Sequence, residues 1–252
     1  MITAKRQQLI LGQLQQKEII TVEELCQLTH SSESTIRRDL INLEKQQLLT
    51  RVHGGAKLIA NNLRTEPQIG QRQQVNLAQK RTIATYAANL VQDDEVIYLD
   101  SGTTTSAMIP LLVHRQNLLV VTNGVNTASL LADYQIPTIV LGGQLRSSTK
   151  AAVGLSLTRY LTNCHFDRAF MGTNGFDLQY GYTTPNAEES AVKQLAVQQA
   201  TVAYVLSDAT KYQQVRFSKF ADLKAATLIT DCLPPAAYQL LSQQTKILEA
   251  KK

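Results

Sequence analysis

The sequence has few cysteines, no long apolar run and neither of the common glycine-rich nucleotide-binding motifs. Its three cysteines, Cys26, Cys164 and Cys232, are odd in number and far apart, which fits thiols in a reducing cytoplasm better than a disulfide framework or a metal site. No apolar run approaches the roughly 20 residues that span a bilayer, and the first residues lack the apolar segment of a secretory signal. The absence of G-x-x-x-x-G-K-S/T and G-x-G-x-x-G weakens any interpretation as a nucleotide-binding or dinucleotide-binding protein. We therefore expect a cytoplasmic protein with no membrane segment, metal or cofactor.

The charge balance permits nucleic-acid binding but does not demonstrate it. The net charge is +5 and the isoelectric point is about 9.1, and a basic balance favours nucleic acid as a partner. The basic excess is not concentrated in one part of the chain, but five basic residues cluster within residues 37–57, against only Asp39 and Glu44 as counter-charges. The basic residues of this region are Arg37, Arg38, Lys45, Arg51 and Lys57. The placement of the charge, not its total, indicates where a polyanion would bind.

Residues 32–40 are predicted to begin a capped helix with two different faces. Ser32 can accept a hydrogen bond from an unpaired amide of the first turn. Ile36, Leu40 and Leu43 recur at three- and four-residue steps, which gives the helix an apolar face that must be buried. The opposite face carries Ser34, Thr35, Arg37 and Arg38. Hydroxyl and guanidinium groups suit the major groove, where Arg can bridge two acceptors of guanine or pair with phosphates. Taken alone, the same pattern also fits an ordinary amphipathic helix with a solvated basic face.

The residues before this helix predict two further helices and a turn. A first helix is expected over residues 4–17. Thr21 and Glu24 have the spacing of a capping box, which opens a second, short helix. A turn at residues 29–31 separates that helix from the one that runs from Glu33 to about Lys45. The second helix is expected to bury Val22, Leu25 and Leu28. Two helices followed by a tight turn and a third helix with a polar face are typical of a helix-turn-helix unit.

A β-hairpin is predicted behind the helix-turn-helix. Two short β-prone runs flank Gly54 and Gly55, a strong signal for a hairpin turn. A hairpin in this place is a wing, whose basic side chains could meet phosphates or the minor groove. The predicted DNA contacts of the helix and the wing are Ser32, Ser34, Thr35, Arg37, Arg38, Arg51, His53 and Lys57.

Together these motifs resemble the signature of DeoR-type bacterial transcription regulators. The resemblance rests on Ser32-Glu33-Ser34-Thr35-Ile36-Arg37-Arg38-Asp39-Leu40, on Leu43-Glu44 and on Arg51-Val52-His53-Gly54-Gly55-Ala56. It implies that residues 1–58 form a winged helix-turn-helix domain that binds double-stranded operator DNA.

The remainder of the chain predicts a linker followed by an α/β domain. Residues 59–75 are polar and contain Pro67, so they are interpreted as a linker. Helical character resumes near Leu77, and short apolar runs then alternate with polar loops and helices. The runs lie at residues 96–99, 118–121, 138–141, 168–171, 202–206 and 226–230. This alternation predicts that residues 76–252 form a mostly parallel sheet covered by helices on both faces. A terminal helix is expected within residues 233–252.

The loop at residues 100–105 is the strongest ligand candidate, because ligands of parallel sheets bind at the carboxyl ends of the strands. It contains Asp100, Ser101, Gly102, Thr103, Thr104 and Thr105. Gly102 allows close backbone approach, and the threonines would begin a helix predicted to extend to about Val113. Unpaired amides and the helix dipole make such an end a phosphate site. Threonine-rich helix starts are also common caps, so a structural role stays open.

Other strand-end loops supply the groups that a phosphorylated polyol needs. Asn123 and Asn174 offer donors and acceptors to hydroxyls. Asp208 can accept hydrogen bonds from a pair of hydroxyls, and Lys211 can neutralise phosphate.

Three charged residues in predicted helices are further candidates, each with a structural alternative. Glu189 and Lys193 suit a ligand role and equally an i,i+4 surface ion pair. Lys80 could contact a ligand or could be a solvated helix residue.

This half of the chain resembles the sugar-phosphate-sensing domain of DeoR-type regulators, which is itself similar to ribose-5-phosphate isomerase. The matching segments are residues 99–105, 121–123, 141–143, 172–175 and 207–211. The resemblance thus covers the chain from about Arg6 to Asp231. It implies a phosphorylated sugar as effector, adds Gly143 to the site, and marks Lys80, Asp208 and Lys211 as effector-responsive positions.

Three functions compete at this stage. A regulator relieved by a sugar phosphate uses every motif, whereas a DNA-binding protein with a purely oligomerising second domain leaves the 100–105 loop and Lys211 without a role. A sugar-phosphate isomerase needs a positioned general base, but residues 172–175 are uncharged where paired acids would be expected, and Glu188 and Glu189 alone are a weak argument. We therefore predict a repressor of a carbohydrate-utilisation operon, not an enzyme, that acts as a homodimer or homotetramer.

Overall fold

The computed structural model describes residues 3–17, 19–45, 49–58 and 63–250. The chain divides into two compact units, Met1–Asn62 and Leu63–Lys252. No helix within the described ranges is both long and apolar enough to cross a membrane.

The first unit is a three-helix bundle with a small antiparallel sheet. In chain order its elements are α1 (Thr3–Lys17), β1 (Ile19–Thr21), α2 (Val22–Thr29), α3 (Glu33–Lys45), β2 (Leu49–Val52) and β3 (Gly55–Leu58). Apolar side chains from all three helices and all three strands form one buried core, which includes Leu14, Leu25, Ile36, Leu40 and Leu43. The predicted helix-turn-helix and wing are confirmed.

Local capping signals fix the ends of α2 and the start of α3. The Thr21 hydroxyl accepts a hydrogen bond from the Glu24 amide at 3.1 Å, and the Glu24 carboxylate accepts one from the Thr21 amide at 2.8 Å. This capping box lowers the pKa of Glu24 to about 2, chiefly through the backbone hydrogen bond from Thr21. At the other end His30 adopts a left-handed conformation with φ of 50°, and Ser32 accepts from the Thr35 amide at 3.4 Å. One detail of the prediction was wrong, because Leu28 is 39% exposed.

The wing contains a third strand that the sequence did not predict. Strands β2 and β3 pair as the predicted hairpin, and β1 pairs with the other edge of β3. Gly54 takes the positive φ of 74° that the turn requires. A Cβ at Gly55 would lie 2.3 Å from the Ile20 carbonyl oxygen, so only glycine allows β1 to approach this closely.

The second unit is built around a seven-stranded parallel sheet. The strands of this unit are β4 (Val96–Leu99), β5 (Leu119–Thr122), β6 (Thr138–Val140), β7 (Gln144–Leu145), β8 (Ala152–Val153), β9 (Phe166–Gly172), β10 (Gly175–Asp177), β11 (Gly181–Thr184), β12 (Ala200–Leu206), β13 (Ser218–Ala221), β14 (Thr227–Thr230) and β15 (Ile247–Glu249). The large sheet has the order β15-β14-β12-β9-β4-β5-β6. Strands β10, β11 and β13 form a small antiparallel sheet, and β7 pairs with β8. All six strands predicted for the parallel sheet are present.

Helices cover the parallel sheet on both faces. They are α4 (Ile69–Gln73), α5 (Leu77–Asn89), α6 (Thr103–Ser106), α7 (Val125–Asp133), α8 (Leu155–Leu161), α9 (Ala187–Gln198) and α10 (Pro235–Leu241). Successive strand residues enter opposite cores: Tyr98 packs in the core that contains α9, while Ile97 and Leu99 pack in the core that contains α5. The predicted α/β class with a mostly parallel sheet is confirmed.

Three predicted segments differ in the structure. Residues 59–62 of the predicted linker lie outside the described residues, and the remainder begins the second compact unit, because Glu66 finds arginine partners there. The helix after the 100–105 loop ends at Ser106, and a separate 3-10 turn containing Pro110 follows. In place of one terminal helix, residues 233–250 contain α10 and then β15, which pairs with β14 at the edge of the sheet.

Candidate functional site

The exposed face of α3 carries the polar residues that the sequence singled out. Ser34, Arg37 and Arg38 are exposed and Thr35 is half-buried, whereas Ile36, Leu40 and Leu43 are fully buried. The Ser32 hydroxyl lies 3.1 Å from the Ser34 hydroxyl and 2.9 Å from the Thr35 hydroxyl. The helix therefore begins with a cluster of three hydroxyls at its exposed N-terminus.

The two arginines of α3 are in different electrostatic situations. Arg37 pairs with Glu33 one turn earlier, with Nε 2.9 Å from Oε1. Arg38 is exposed and forms no ion pair within the part of the chain that the structure describes. Asp39 is turned inward, where it pairs with Arg6 and accepts a hydrogen bond from Gln7. Arg38 is thus the guanidinium of this helix that is available to an external acceptor.

The wing presents three basic side chains. Arg51 pairs with Glu44 of α3 at 2.5 Å, and its backbone amide donates to the same carboxylate at 2.9 Å. These two bonds lower the pKa of Glu44 and fix the start of the wing against α3. His53 and Lys57 are exposed. All eight predicted DNA contacts therefore belong to this unit, in the helix, its N-cap and the wing.

In the second unit, the 100–105 loop follows β4 at the carboxyl end of the sheet. The buried Asp100 carboxylate accepts hydrogen bonds from the Lys193 ammonium at 2.5 Å and from the Gly172 amide at 2.9 Å. Lys193 also donates to the Gly172 carbonyl at 3.0 Å. Asp100, Gly172 and Lys193 thus connect the end of β4 with β9 and α9. These buried contacts fix the position of the loop.

The hydroxyls of the 100–105 loop divide into one that is used internally and three that are not. Thr105 is buried, and its hydroxyl lies 2.8 Å from the carbonyl oxygens of Asp100 and Gly102. Ser101, Thr103 and Thr104 are half-buried. Their side chains form no hydrogen bond with the described residues of this unit, and these three hydroxyls could contact a ligand.

The predicted site residues Asn123, Asn174 and Gly143 all make contacts within the protein, and these contacts use different shares of their polar groups. Asn123 accepts from the Tyr98 hydroxyl and donates to the Ala152 carbonyl, both at 2.9 Å, so both ends of its buried amide are engaged. Asn174 is half-buried, and its carbonyl accepts from the Thr184 hydroxyl at 3.2 Å. A Cβ at Gly143 would lie 2.3 Å from the Val153 carbonyl oxygen. The close approach of the Val153 backbone therefore explains why this position is a glycine.

A cluster of cations that includes Lys80 and Lys211 interacts electrostatically with Asp208. Lys80 is only 8% exposed, so the alternative of a solvated residue was wrong, and its ammonium donates to the Arg72 carbonyl. Burial and the neighbouring Arg72 and Lys211 lower the pKa of Lys80 to about 8, although Asp208 opposes the shift. Burial, Arg72 and Arg216 likewise lower the pKa of Lys211. Asp208 itself caps the turn that carries Lys211 by accepting from the Thr210 amide at 3.1 Å.

Glu189 does not form the surface ion pair with Lys193 that the helical spacing allowed. Both side chains are buried. The Glu189 carboxylate accepts hydrogen bonds from the Thr149 hydroxyl at 2.5 Å and from Arg146 at 3.1 Å. Arg146 also contacts Glu66 at 3.6 Å.

The sequence interpretation missed Glu66, Arg72 and Arg146, which complete this charged network. Glu66 lies 3.4 Å from Arg72, and the carbonyl of Arg72 accepts from Lys80. Glu66 and Arg72 are charged residues of the segment interpreted as a linker, and Arg146 directly follows β7. No motif marked any of the three. Within the described ranges, no group of three or more His, Cys, Asp or Glu residues could hold a metal ion.

Two family models match the chain. Residues 6–62 match a DeoR-like helix-turn-helix domain, and residues 75–232 match a DeoR C terminal sensor domain.

Whole-length relatives include an uncharacterized HTH-type transcriptional regulator, FruR, of Bacillus subtilis, which is 39% identical over all of both chains. The lactose phosphotransferase system repressor of Streptococcus mutans is 32% identical over 91% of this chain and 92% of the relative. Among solved structures, ribose 5-phosphate isomerase A of Methanocaldococcus jannaschii is similar with a TM-score of 0.42 and 20% identity, over 55% of this chain and 56% of that one. At that TM-score the likeness supports no inference about activity.

Proposed function

The chain belongs to the DeoR family of transcription regulators, and we propose that it represses a carbohydrate-utilisation operon until a phosphorylated sugar binds its second unit. DNA binding belongs to the first unit, and effector binding belongs to the carboxyl end of the parallel sheet in the second.

The effector half of the proposal rests on one observation, the excess of positive charge around Asp208. Lys80 and Lys211 both interact with this single carboxylate, and Arg72 adds positive charge near both lysines. The lysines also lie in surroundings that penalise their own charge. A phosphate dianion would neutralise that excess. The hydroxyls of Ser101, Thr103 and Thr104 supply further donors in the same unit, at the carboxyl end of the sheet.

The DNA-binding half rests on the exposed face of α3. Arg38 can donate to two acceptors of a guanine edge, while Arg51, His53 and Lys57 of the wing supply phosphate contacts that fix the position on the duplex. A homodimer or homotetramer in the cytoplasm would present two such units to half-sites one or more helical turns apart.

Relief of repression requires the sugar phosphate to prefer the conformation that does not bind the operator. A ligand with equal affinity for both conformations would not change their populations. The effector therefore shifts the oligomer towards a spacing of the DNA-binding units that no longer fits the half-sites.

We propose that the chain has no isomerase activity. The proposed regulator also needs no cofactor. Glu189, the best general-base candidate, already accepts hydrogen bonds from Arg146 and Thr149, so its carboxylate is not free to take a proton from a bound sugar. We expect no turnover of pentose or hexose phosphates in a coupled assay, and steady turnover by the purified protein would contradict this part of the proposal.

A gel-shift experiment tests the regulator directly. The purified chain is titrated against DNA from upstream of its own gene and against random DNA of equal length, and the complex is then challenged with a panel of sugar phosphates. We expect a preference for the upstream DNA and release by at least one sugar phosphate at a concentration where inorganic phosphate has no effect. Equal binding to both DNAs would reject the regulator, and indifference to the whole panel would reject the effector class.

A further inference from the structure

We propose that Glu66 accepts a hydrogen bond from a hydroxyl of the effector and thereby discriminates a sugar phosphate from phosphate alone. This inference rests on the proposed function, because it assigns a residue to the effector site. Nothing in the sequence pattern pointed to Glu66, which lies in the segment that was interpreted as a linker.

The carboxylate of Glu66 is buried with one oxygen lacking a hydrogen-bond donor. Its side chain is 5% exposed. Oε1 lies 3.4 Å from Nη1 of Arg72, and Oε2 lies 3.6 Å from Nη2 of Arg146. The second distance is too long for a hydrogen bond, and Oε2 has no hydrogen-bond partner within the described part of the chain.

A structural ion pair in the same unit has a different geometry. Arg168 Nε lies 2.8 Å and 2.9 Å from the two oxygens of Glu95, and the Gln92 amide also donates to that carboxylate at 2.9 Å. Glu95 is therefore fully engaged by the protein. The side chain of Glu66 is less exposed than that of Glu95, but its distances to the arginines are longer. This arrangement is expected of a carboxylate that binds a ligand.

An unsatisfied buried carboxylate oxygen is unfavourable in the free protein. Burial separates this oxygen from bulk water, and no donor of the described residues replaces the lost hydrogen bond. Burial and the nearby Glu189 carboxylate raise the pKa of Glu66, against the opposing effect of Arg72, Arg146 and Lys193. A sugar hydroxyl is a donor of suitable strength, and its hydrogen bond to Oε2 would satisfy the group.

The neighbours of Glu66 place it at the proposed effector site. On one side, Arg72 connects it to Lys80 of the cation cluster through the hydrogen bond from Lys80 to the Arg72 carbonyl. On the other side, Lys193 interacts with Glu66 electrostatically and holds Asp100 of the 100–105 loop. Glu66 thus connects the cation cluster with the 100–105 loop, the two parts of the proposed effector site.

The test compares two kinds of ligand, inorganic phosphate and sugar phosphates, on the wild-type full chain and three variants by isothermal titration calorimetry. The probes are inorganic phosphate and a panel of glucose 6-phosphate, fructose 6-phosphate and ribose 5-phosphate. The variants are Glu66→Gln, Glu66→Ala and the matched control Glu95→Gln, which weakens a buried ion pair that has both oxygens engaged. Thermal unfolding of each variant without ligand shows which of them fold.

The measured quantity is the ratio of sugar-phosphate affinity to phosphate affinity. We expect this ratio to fall about tenfold or more in Glu66→Ala, the size of a lost hydrogen bond to a charged group, and to fall less in Glu66→Gln, which keeps one acceptor. Phosphate affinity should stay the same or rise, because both variants remove a negative charge. Glu95→Gln should lower thermal stability without changing the ratio.

The outcomes separate this inference from the proposed function. An unchanged ratio in both Glu66 variants overturns the role of Glu66 alone, provided the wild-type chain binds a sugar phosphate. Equal weakening of both ligands, or the same fall in ratio in Glu95→Gln, shows a structural role and also overturns it. Failure of the wild-type chain to bind any member of the panel overturns the proposed effector class and this inference with it.

Discussion

The ammonium of Lys193 lies 2.5 Å from the carboxylate of Asp100, although the two residues are 93 positions apart in sequence. Both side chains are buried, and the Gly172 backbone supplies further hydrogen bonds to each of them. The pair therefore fixes the 100–105 loop relative to α9 and β9 before any ligand arrives.

Removal of the cation from this pair should be strongly destabilising. Lys193→Met leaves the Asp100 carboxylate buried and uncompensated, and such a change costs about 3–5 kcal/mol. Urea unfolding of the full chain measures the loss. Lys224→Met is the matched control, because Lys224 is exposed and should change the free energy of unfolding by less than about 0.5 kcal/mol. Similar losses in the two variants would show that the buried pair contributes little.

The effector response should depend on the charge at position 104. Thr104 is half-buried with its hydroxyl unengaged, so Thr104→Glu would place a negative charge in the loop proposed to contact the effector, where it would repel the anionic ligand. We expect this variant to bind operator DNA normally but to resist release by the sugar phosphate. Thr104→Gln has the same size without the charge and should respond more strongly than Thr104→Glu in the same gel-shift assay. Loss of DNA binding in both variants would indicate misfolding and not a site effect.

Local signals explain why the first unit was predicted closely. The Thr21 and Glu24 capping box and the spacing of Ile36 and Leu40 act within a few residues, so the helix boundaries can be inferred from the sequence. Strand β1 was missed because it has three residues, Ile19–Thr21, and exists only through pairing with β3.

The charged network of the second unit could not be inferred in the same way. The i,i+4 spacing of Glu189 and Lys193 favoured a mutual pair, but each found a closer partner far away in sequence, Arg146 and Asp100. Glu66 looked like a solvated linker residue because its burial depends on arginines that tertiary folding brings to it. Spacing predicts neighbours on one element, whereas these contacts join different elements.

Arg38 should contribute more to sequence-specific binding than Arg37. Arg38→Ala should cost about 1–3 kcal/mol on the operator and reduce the preference over random DNA, if the side chain contacts a base edge. Arg37 is already paired with Glu33, so Arg37→Ala should have a smaller effect on that preference. Titrations at two salt concentrations separate base contacts from phosphate contacts, since loss of a phosphate contact weakens the salt dependence of both complexes. An unchanged preference in Arg38→Ala would remove this residue from base recognition.

The affinity for a sugar phosphate should decrease as the pH rises through about 8, because Lys80 loses its proton there. Its pKa of about 8 lies below the ordinary value of 10.5 mainly through burial, and a bound phosphate stabilises the protonated form. Binding near pH 8 should therefore take up protons, and affinity should fall by up to about tenfold per pH unit above that value.

Calorimetry at pH 7, 8 and 9 in buffers of different ionisation enthalpy measures both the affinity and the proton uptake. Lys80→Arg is the control, because arginine stays protonated throughout this range. The affinity of this variant should fall less between pH 7 and pH 9 than the affinity of the wild-type chain. A sugar phosphate is a monoester with a second pKa of about 6, so it keeps most of its second negative charge across the range and does not itself supply the dependence. An equal decrease in the wild-type chain and in Lys80→Arg would show that Lys80 does not contact the phosphate.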